Sequence, residues 1–141
     1  MIEVLNRQRK VRIDTSALSE FAERACVIVE EAEGGSATVV IVSDKRIRSL
    51  NAEFRGKDSA TDVLSFPFGD EVEEGKFLGD IVISAETAER QASENGLPFE
   101  TELRQLVLHG ILHLCGFDHE TDEGEMDALE MKYRLELGIA G

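Results

Sequence analysis

One segment, residues 98–115, limits the possible folds more than any other. Pro98 is suited to the start of a helix and Gly116 to its end. The apolar residues between them cover most of the circumference of a helix: Leu103, Leu106, Val107, Leu108, Ile111, Leu112 and Leu114. A helix that is apolar nearly all round has to be covered by other elements. The sequence therefore predicts a buried central helix.

The rest of the chain has the pattern of an α+β protein. Apolar and β-branched stretches predict strands at 2–6, 37–43, 63–66 and 77–84, with residues 9–13 extending or pairing with the first. Pro67 makes the third an edge or terminal strand, because proline cannot donate to a central ladder. Helical spacing and capping residues predict helices at 16–33, at about 44–55, from Ser84 to about Asn95, at 98–115 and at about 122–137, the last starting at Asp122. The acidic stretch 69–76 is typical of an exposed loop.

Length and composition indicate one domain over residues 1–141. Hydrophobic residues make up 42% and charged residues 31% of the chain, and no repeat or linker is present. Cys26 and Cys115 form no metal-binding pair spacing, which favours reduced thiols in a cytoplasmic protein. No apolar run approaches the ~20 residues that cross a bilayer. We expect a soluble, cytoplasmic protein with no membrane contact.

The charge is negative and unevenly distributed. The formal net charge of −14 argues against broad, salt-driven attraction to nucleic acid. Residues 1–57 contain 10 Lys/Arg and 9 Asp/Glu, a net of +1, whereas residues 58–141 contain 5 and 20, a net of −15. A locally basic face can only come largely from the first half.

All three histidines of the chain lie within eleven residues, at His109, His113 and His119. His109 and His113 are four residues apart on the predicted central helix, so their rings project from one face. Gly116 can end that helix in a left-handed conformation and let the chain turn His119 back towards them. Three imidazoles on an otherwise apolar helix and turn predict a metal site with one coordination position open, which is the catalytic type.

Nitrogen ligands favour zinc, with nickel, copper or manganese as alternatives. Cys115 lies about 200° around the helix from His113 and is expected to pack in the core. Asp118 is either an acceptor for a metal-bound histidine or a turn former.

The histidine spacing is that of the extended zinc-protease motif, with one difference. Gly110 stands where those proteases have the glutamate that acts as general base. Ordinary peptide hydrolysis is therefore disfavoured, whereas phosphodiester hydrolysis needs positive charge more than a carboxylate base. We also expect Gly110 to leave room beside the metal for a bulky substrate.

The segment HGILHLCGFDH resembles the HGxLHLxGxDH signature of the YbeY family of metal-dependent endoribonucleases. LNAEFRGKDSATDVLSFPF at 50–68 and LGDIVIS at 78–84 are similar to other segments of that family, and the likeness spans roughly residues 50–138. Phe117 stands where family members often have tyrosine, so no phenol is essential at that position.

The resemblance implies a single-domain zincin-like α+β fold, with a mixed sheet of about four strands packed with about five helices. It implies that His109, His113 and His119 bind one zinc ion per chain and that Arg55 faces the site. A guanidinium can clamp a phosphate and stabilise the charge of the transition state, so Arg55 is the expected catalytic residue.

The family also implies a role. The expected activity is zinc-dependent, single-strand-specific endoribonuclease cleavage in ribosomal RNA maturation, at the 3′ end of 16S rRNA, and in ribosome quality control. Metal-bound water is the expected nucleophile, with the 2′-OH of the RNA as the alternative. Single-stranded ribosomal RNA, small-subunit ribosomal proteins and a ribosome-associated GTPase are the implied partners, and DNA is not. Two alternatives stay open: a non-catalytic ribosome-assembly factor with a structural zinc, and a metal-dependent hydrolase of another bond that uses Asp118 as base.

Overall fold

A computed structural model of the chain describes residues 2–68, 77–118 and 123–140. The elements follow in the order β1 (Glu3–Asn6), α1 (Thr15–Ile28), a 3₁₀ turn (Glu30–Ala32), β2 (Ser36–Val42), α2 (Asp44–Arg55), β3 (Val63–Pro67), β4 (Phe77–Ser84), α3 (Ala85–Asn95), α4 (Phe99–Leu114) and α5 (Glu125–Leu137). The predicted α+β class, with four strands and five α-helices, is confirmed. No helix in the described part of the chain is both long and apolar enough to cross a membrane.

The four strands form one mixed sheet in the order β1-β2-β4-β3. β1 runs parallel to β2 and β2 parallel to β4, while β3 is antiparallel to β4. β3 therefore lies at one edge of the sheet, as Pro67 at its end predicts. The central strands β2 and β4 are apolar on both faces because helices cover both of them.

Successive side chains of a strand point to opposite faces, and this divides the core into two parts. Val39 and Ile41 of β2 and Ile81 and Ile83 of β4 belong to a large cluster with α1, α4 and α5. A smaller cluster lies under α2 on the other face: Val42, Ile47, Leu64 and Val82, with Val40, Leu50 and Phe66 packed against it. The central helix α4 is buried against the sheet, as predicted.

Three expected elements differ from the structure. Residues 9–13 form no strand, because Gln8 closes this segment into a turn: its amide donates to the carbonyl of Val11 (2.7 Å) and accepts from the N–H of Val11 (2.9 Å). α1 ends at Ile28, and Val29 is extended before the 3₁₀ turn. α5 starts at Glu125 after Gly124, whose φ of 102° is incompatible with a helix.

Two expectations fall on residues outside the described ones. The predicted loop at 69–76 lies there, and so does Asp122 itself, although the described residues 123 and 124 that follow it are not helical.

Candidate metal centre

The site is built on α4. His109 and His113, one turn apart, present their rings on the same side of this helix, with ring centroids 4.7 Å apart. Their Nε2 atoms lie 3.1 Å from each other. Because α4 is held by apolar contacts along most of its length, the backbone that carries the two rings is rigid.

The spacing of the two nitrogens fits a shared metal ion. A tetrahedral zinc ion with Zn–N bonds of about 2.0–2.1 Å holds two ligand nitrogens about 3.3 Å apart. The observed 3.1 Å is close to that value. The pair of imidazoles therefore matches the donor type and the separation that zinc requires.

A carboxylate on α5 orients His109. Nδ1 of His109 is hydrogen-bonded to Oε1 of Glu130, and Oε2 of Glu130 accepts from the guanidinium of Arg134 at 2.7 Å. Glu130 is only 8% exposed, so its charge needs these partners. An ionised carboxylate can only accept, which places the proton on Nδ1 and leaves the lone pair of Nε2 directed towards His113.

Glu130 was not among the residues that the sequence predicted for the site. It lies in the buried stripe of α5 with Met126, Tyr133 and Leu137. A charged residue inside an apolar helical stripe is the signal that would have indicated it, since such a residue needs a buried partner.

A cleft of about 530 Å³ opens beside the histidines. It crosses the edge of the sheet at β3, and its lining combines both histidines with the C-terminal end of α2: Phe54, Arg55, Thr61, Asp62, Val63, Leu64, Ser65, Phe66, His109, His113 and Asp118. Ser65 lies with its hydroxyl 3.5 Å from the carbonyl oxygen of Gly110 on α4. The structure thus brings four of the five sequence-predicted site residues into one cleft.

The fifth, His119, lies outside the described residues. Within the part of the chain that is described, no group of three or more His, Cys, Asp or Glu side chains has the arrangement of a metal site. The assignment of His119 as third ligand therefore stays a prediction, as do the roles of the other four.

Arg55 is the last residue of α2 and is exposed. No carboxylate of the described residues pairs with its guanidinium. Two other cations of the first half are engaged: Arg48 donates to both oxygens of Asp58 at 2.8 and 3.1 Å, and Lys10 lies 3.5 Å from Glu86. Among the described residues that line the cleft, Arg55 is the Lys or Arg side chain available to an anion.

Gly110 has a different role from the one expected. A Cβ at this position would lie 2.7 Å from Cγ2 of Ile81 on β4, closer than real side chains approach. Gly110 faces the sheet and lets α4 pack against it, so the expectation that it leaves room for substrate beside the metal is wrong. A glutamate could not be accommodated here without moving the helix away from the sheet.

A second cleft, of about 540 Å³, shares Asp62 and His109 with the first. It also contains Glu102 of α4, which is 5% exposed and has one oxygen without a hydrogen-bond partner among the described residues. Burial raises the pKa of the Glu102 carboxyl, and the charge of Asp62 adds to this, against the hydrogen bond of Asn95 and the charge of Arg134. His109 thus has polar neighbours in the second cleft as well as in the cleft that contains Arg55.

Comparison with known proteins gives consistent matches along the chain. The sequence model of the family described as Endoribonuclease YbeY matches residues 3–138. A protein from Solibacter usitatus named Endoribonuclease YbeY is 44% identical over 133 residues, which cover 94% of this chain and 86% of that protein. One of the same name from Nautilia profundicola is 53% identical over 101 residues, covering 72% and 71%.

A solved structure agrees with the fold. The solution structure of a protein from Thermotoga maritima superimposes with a TM-score of 0.64 at 36% identity and covers 97% of this chain and 89% of that one. The predicted resemblance to the family is therefore confirmed, and it extends beyond the predicted span of about 50–138, since the family model matches residues 3–138. With its paired imidazoles on α4 and its family match over residues 3–138, the chain belongs to the endoribonuclease YbeY family of hydrolases that cut RNA phosphodiester bonds.

Proposed function

We propose that this chain is a zinc-dependent, single-strand-specific endoribonuclease that acts in ribosomal RNA maturation, at the 3′ end of 16S rRNA, and in ribosome quality control. The observation that supports it most is the pair of Nε2 atoms 3.1 Å apart in a cleft that is also lined by Arg55, whose guanidinium pairs with no carboxylate of the described residues. A metal-ligating pair and a phosphate-binding cation are the two elements that metal-assisted phosphodiester cleavage requires.

In this proposal His109, His113 and His119 hold one zinc ion, with another divalent transition metal as the alternative. When bound, zinc supplies Lewis acidity towards a phosphoryl oxygen and lowers the pKa of water. Glu130 fixes the tautomer of His109 by accepting from its Nδ1, and Arg134 holds Glu130 in place. Glu130 and Arg134 are thus positioning residues, because they act through His109.

Arg55 binds the phosphate. Its planar guanidinium can donate two parallel hydrogen bonds to phosphate oxygens and stabilise the negative charge that develops on them. Its position at the C-terminal end of α2, among the residues that line the cleft, supports this role.

Two carboxylates of the cleft are candidates for accepting a proton. Asp118 follows α4, and Asp62 precedes β3. Oδ1 of Asp62 accepts from the N–H of Val63 at 2.8 Å and from the hydroxyl of Thr61 at 3.3 Å, which fixes the orientation of the carboxylate. Both line the same cleft as Arg55 and the two histidines.

The proposed substrate is single-stranded ribosomal RNA and not DNA, and the proposed place of action is the cytoplasm. A net charge of −14 keeps non-specific RNA affinity low. Small-subunit ribosomal proteins and a ribosome-associated GTPase are the partners we propose to supply the missing affinity. The names of the relatives support an RNA substrate, since they are called endoribonucleases.

The test is cleavage of a single-stranded fragment of the 3′ region of small-subunit RNA, with a chelator control and a DNA fragment of the same sequence. Arg55→Glu is expected to abolish cutting while Arg46→Glu, the same charge change at an exposed position of α2 that does not line the cleft, preserves it. Equal loss in both variants would contradict a specific role for Arg55. Metal-bearing protein that cuts no RNA would favour a ribosome-assembly factor, and cutting of peptide instead would favour another hydrolase.

A further inference from the structure

Two phenylalanine rings line the same cleft as the histidines. Phe54 precedes Arg55 at the end of α2, and Phe66 lies on β3. Their ring centroids are 5.2 Å apart with an interplanar angle of 71°, an edge-to-face pair. Phe54 nevertheless stays 59% exposed, so a large part of its ring can contact a ligand in the cleft.

The pair has a fixed support. Phe66 is half-buried and packs against the smaller core cluster under α2, which includes Ile47 and Leu64. Phe54 is held on one side by Phe66 and on the other by the helix that carries it. A ring that is already ordered loses little conformational entropy when a ligand covers it.

The rings and the histidines lie on opposite faces of β3. Ser65 is directed towards α4, where its hydroxyl lies near the carbonyl of Gly110, and Phe66 follows it on the face that α2 covers. The cleft passes over the strand edge between these two faces. A polymer that has a phosphate at His113 and Arg55 therefore brings a neighbouring unit across the edge of β3 to Phe54.

We propose that Phe54, supported by Phe66, is a stacking platform for one unpaired base of the RNA, next to the phosphate that Arg55 binds. This deepens the proposed function and rests on it. Stacking of a base on an aromatic side chain contributes about 1–3 kcal/mol and tolerates any base. In a duplex both faces of a base are covered by its neighbours, so the platform also gives the chain a preference for single strands.

The surroundings favour a base over an apolar side chain of a protein partner. Arg55 lines the cleft beside the rings, and an apolar side chain entering the cleft would bury the charge of its guanidinium without pairing it. A nucleotide brings a flat ring for Phe54, a phosphate for Arg55 and polar base edges for the remaining groups.

The experiment measures binding of zinc-loaded, full-length protein to two fluorescent RNAs. One is a short oligoadenylate, and the other has the same backbone without bases. Fluorescence anisotropy gives the dissociation constants, and a gel checks that the RNA is intact. The variants are Phe54→Leu, which removes the ring but keeps an apolar side chain, and Phe54→Trp, which keeps a ring. Phe68→Leu is the matched control, because Phe68 is 49% exposed and pairs edge-to-face with Phe77, but is not among the described residues that line the cleft.

Phe54→Leu is expected to weaken binding of the oligoadenylate about fivefold or more and to leave binding of the abasic RNA unchanged. Phe54→Trp and Phe68→Leu are expected to bind both RNAs like the wild type. An equal effect of Phe54→Leu on the two RNAs, or no effect on either, would overturn the proposal. Because the readout is binding, this test is separate from that of the proposed function. If Phe54 is needed to distinguish the two RNAs but the wild type cuts neither, only the proposed nuclease activity is contradicted.

Discussion

At the scale of single residues, Glu130 connects α5 to the histidine pair. One of its oxygens is bonded to His109 and the other to Arg134, so the orientation of the His109 ring depends on a residue 21 positions away in the sequence. Such outer carboxylates set the tautomer and the basicity of a metal-binding imidazole. They are as much a part of a metal centre as its ligands.

We expect Glu130→Gln to weaken zinc binding about 10- to 100-fold, because an amide binds the Nδ1–H of His109 less strongly and no longer neutralises Arg134. Competition with a chromogenic chelator measures the affinity. Glu136→Gln, at an exposed position of the same helix, is the control and is expected to bind zinc like the wild type. Unchanged affinity in Glu130→Gln would show that the carboxylate does not support a metal ligand.

The residue pattern indicated the histidines and the family resemblance indicated Arg55, but neither indicated Glu130, for a physical reason. The histidines are crowded into one short segment, so their spacing can be read along the chain. The pairing of Glu130 with His109 exists only after α5 has packed on α4. Likewise, the contact between Gly110 and Ile81 depends on how closely α4 approaches β4, which no local pattern records.

At the scale of elements, the close packing of α4 on the sheet positions both histidines. Gly110, between them, allows this approach because Ile81 occupies the space that a Cβ would need. The bounds of α2 and α3 were predicted nearly to the residue, because both helices have clear capping residues. Ser43 and Ser84 accept from backbone N–H groups at their starts, and glycines in the left-handed conformation end them. The start of α5 was not, because Gly124 interrupts the acidic pattern that precedes it.

We expect Gly110→Ala to lower the free energy of unfolding. Replacing a helical glycine by alanine contributes about 1 kcal/mol in favour of folding. Overpacking against the fully buried Ile81 costs about 1–3 kcal/mol, so a net loss of up to about 2 kcal/mol remains. Urea unfolding measures it. In the double variant Gly110→Ala/Ile81→Ala, the free energy of unfolding should fall by less than the sum of the two single losses. Strict additivity would contradict the contact between residue 110 and Ile81.

A polar junction joins the starts of α2 and α3. The carboxylate of Asp44 accepts hydrogen bonds from Ser84 (2.5 Å), Thr87 (2.6 Å) and Arg90 (2.9 Å). Burial works against ionisation of Asp44, but these hydrogen bonds and the charge of Arg90 outweigh it and lower the pKa of the carboxyl. A carboxyl whose pKa is lower in the folded protein than in the unfolded chain stabilises the fold at pH values above the pKa of the unfolded chain. This stabilisation is lost as the pH falls through the pKa of the folded protein.

Asp44→Asn is therefore expected to reduce the free energy of unfolding by about 1–2 kcal/mol at pH ~6, where the carboxylate is charged. The difference from wild type should shrink as the pH falls below about 4 and through the lowered pKa of Asp44, since below that pKa both proteins have a neutral side chain at this position. Urea unfolding over this range measures the difference. Asp80→Asn, at an exposed position of β4, is the control. A difference that does not change with pH would rule out the charge as its source.

At the scale of the whole molecule, one cleft collects residues from three parts of the chain. α2 contributes Arg55, β3 contributes the sheet edge, and α4 contributes the histidines. The predicted α+β fold and family are confirmed, whereas the single domain over residues 1–141 and the role of each site residue stay predictions. The cleft itself could not be read from the sequence, because it depends on the antiparallel placement of β3 beside β4.

Zinc content and RNA cleavage, measured on the same preparations of wild type, His113→Ala and Arg55→Glu, separate metal binding from phosphate binding. Wild type should contain about one zinc ion per chain and cut single-stranded RNA. His113→Ala should lose both properties, and Arg55→Glu should keep the zinc and lose cleavage. Cleavage that survives in His113→Ala without bound metal would contradict the central claim that the imidazole pair on α4 holds the ion on which catalysis depends.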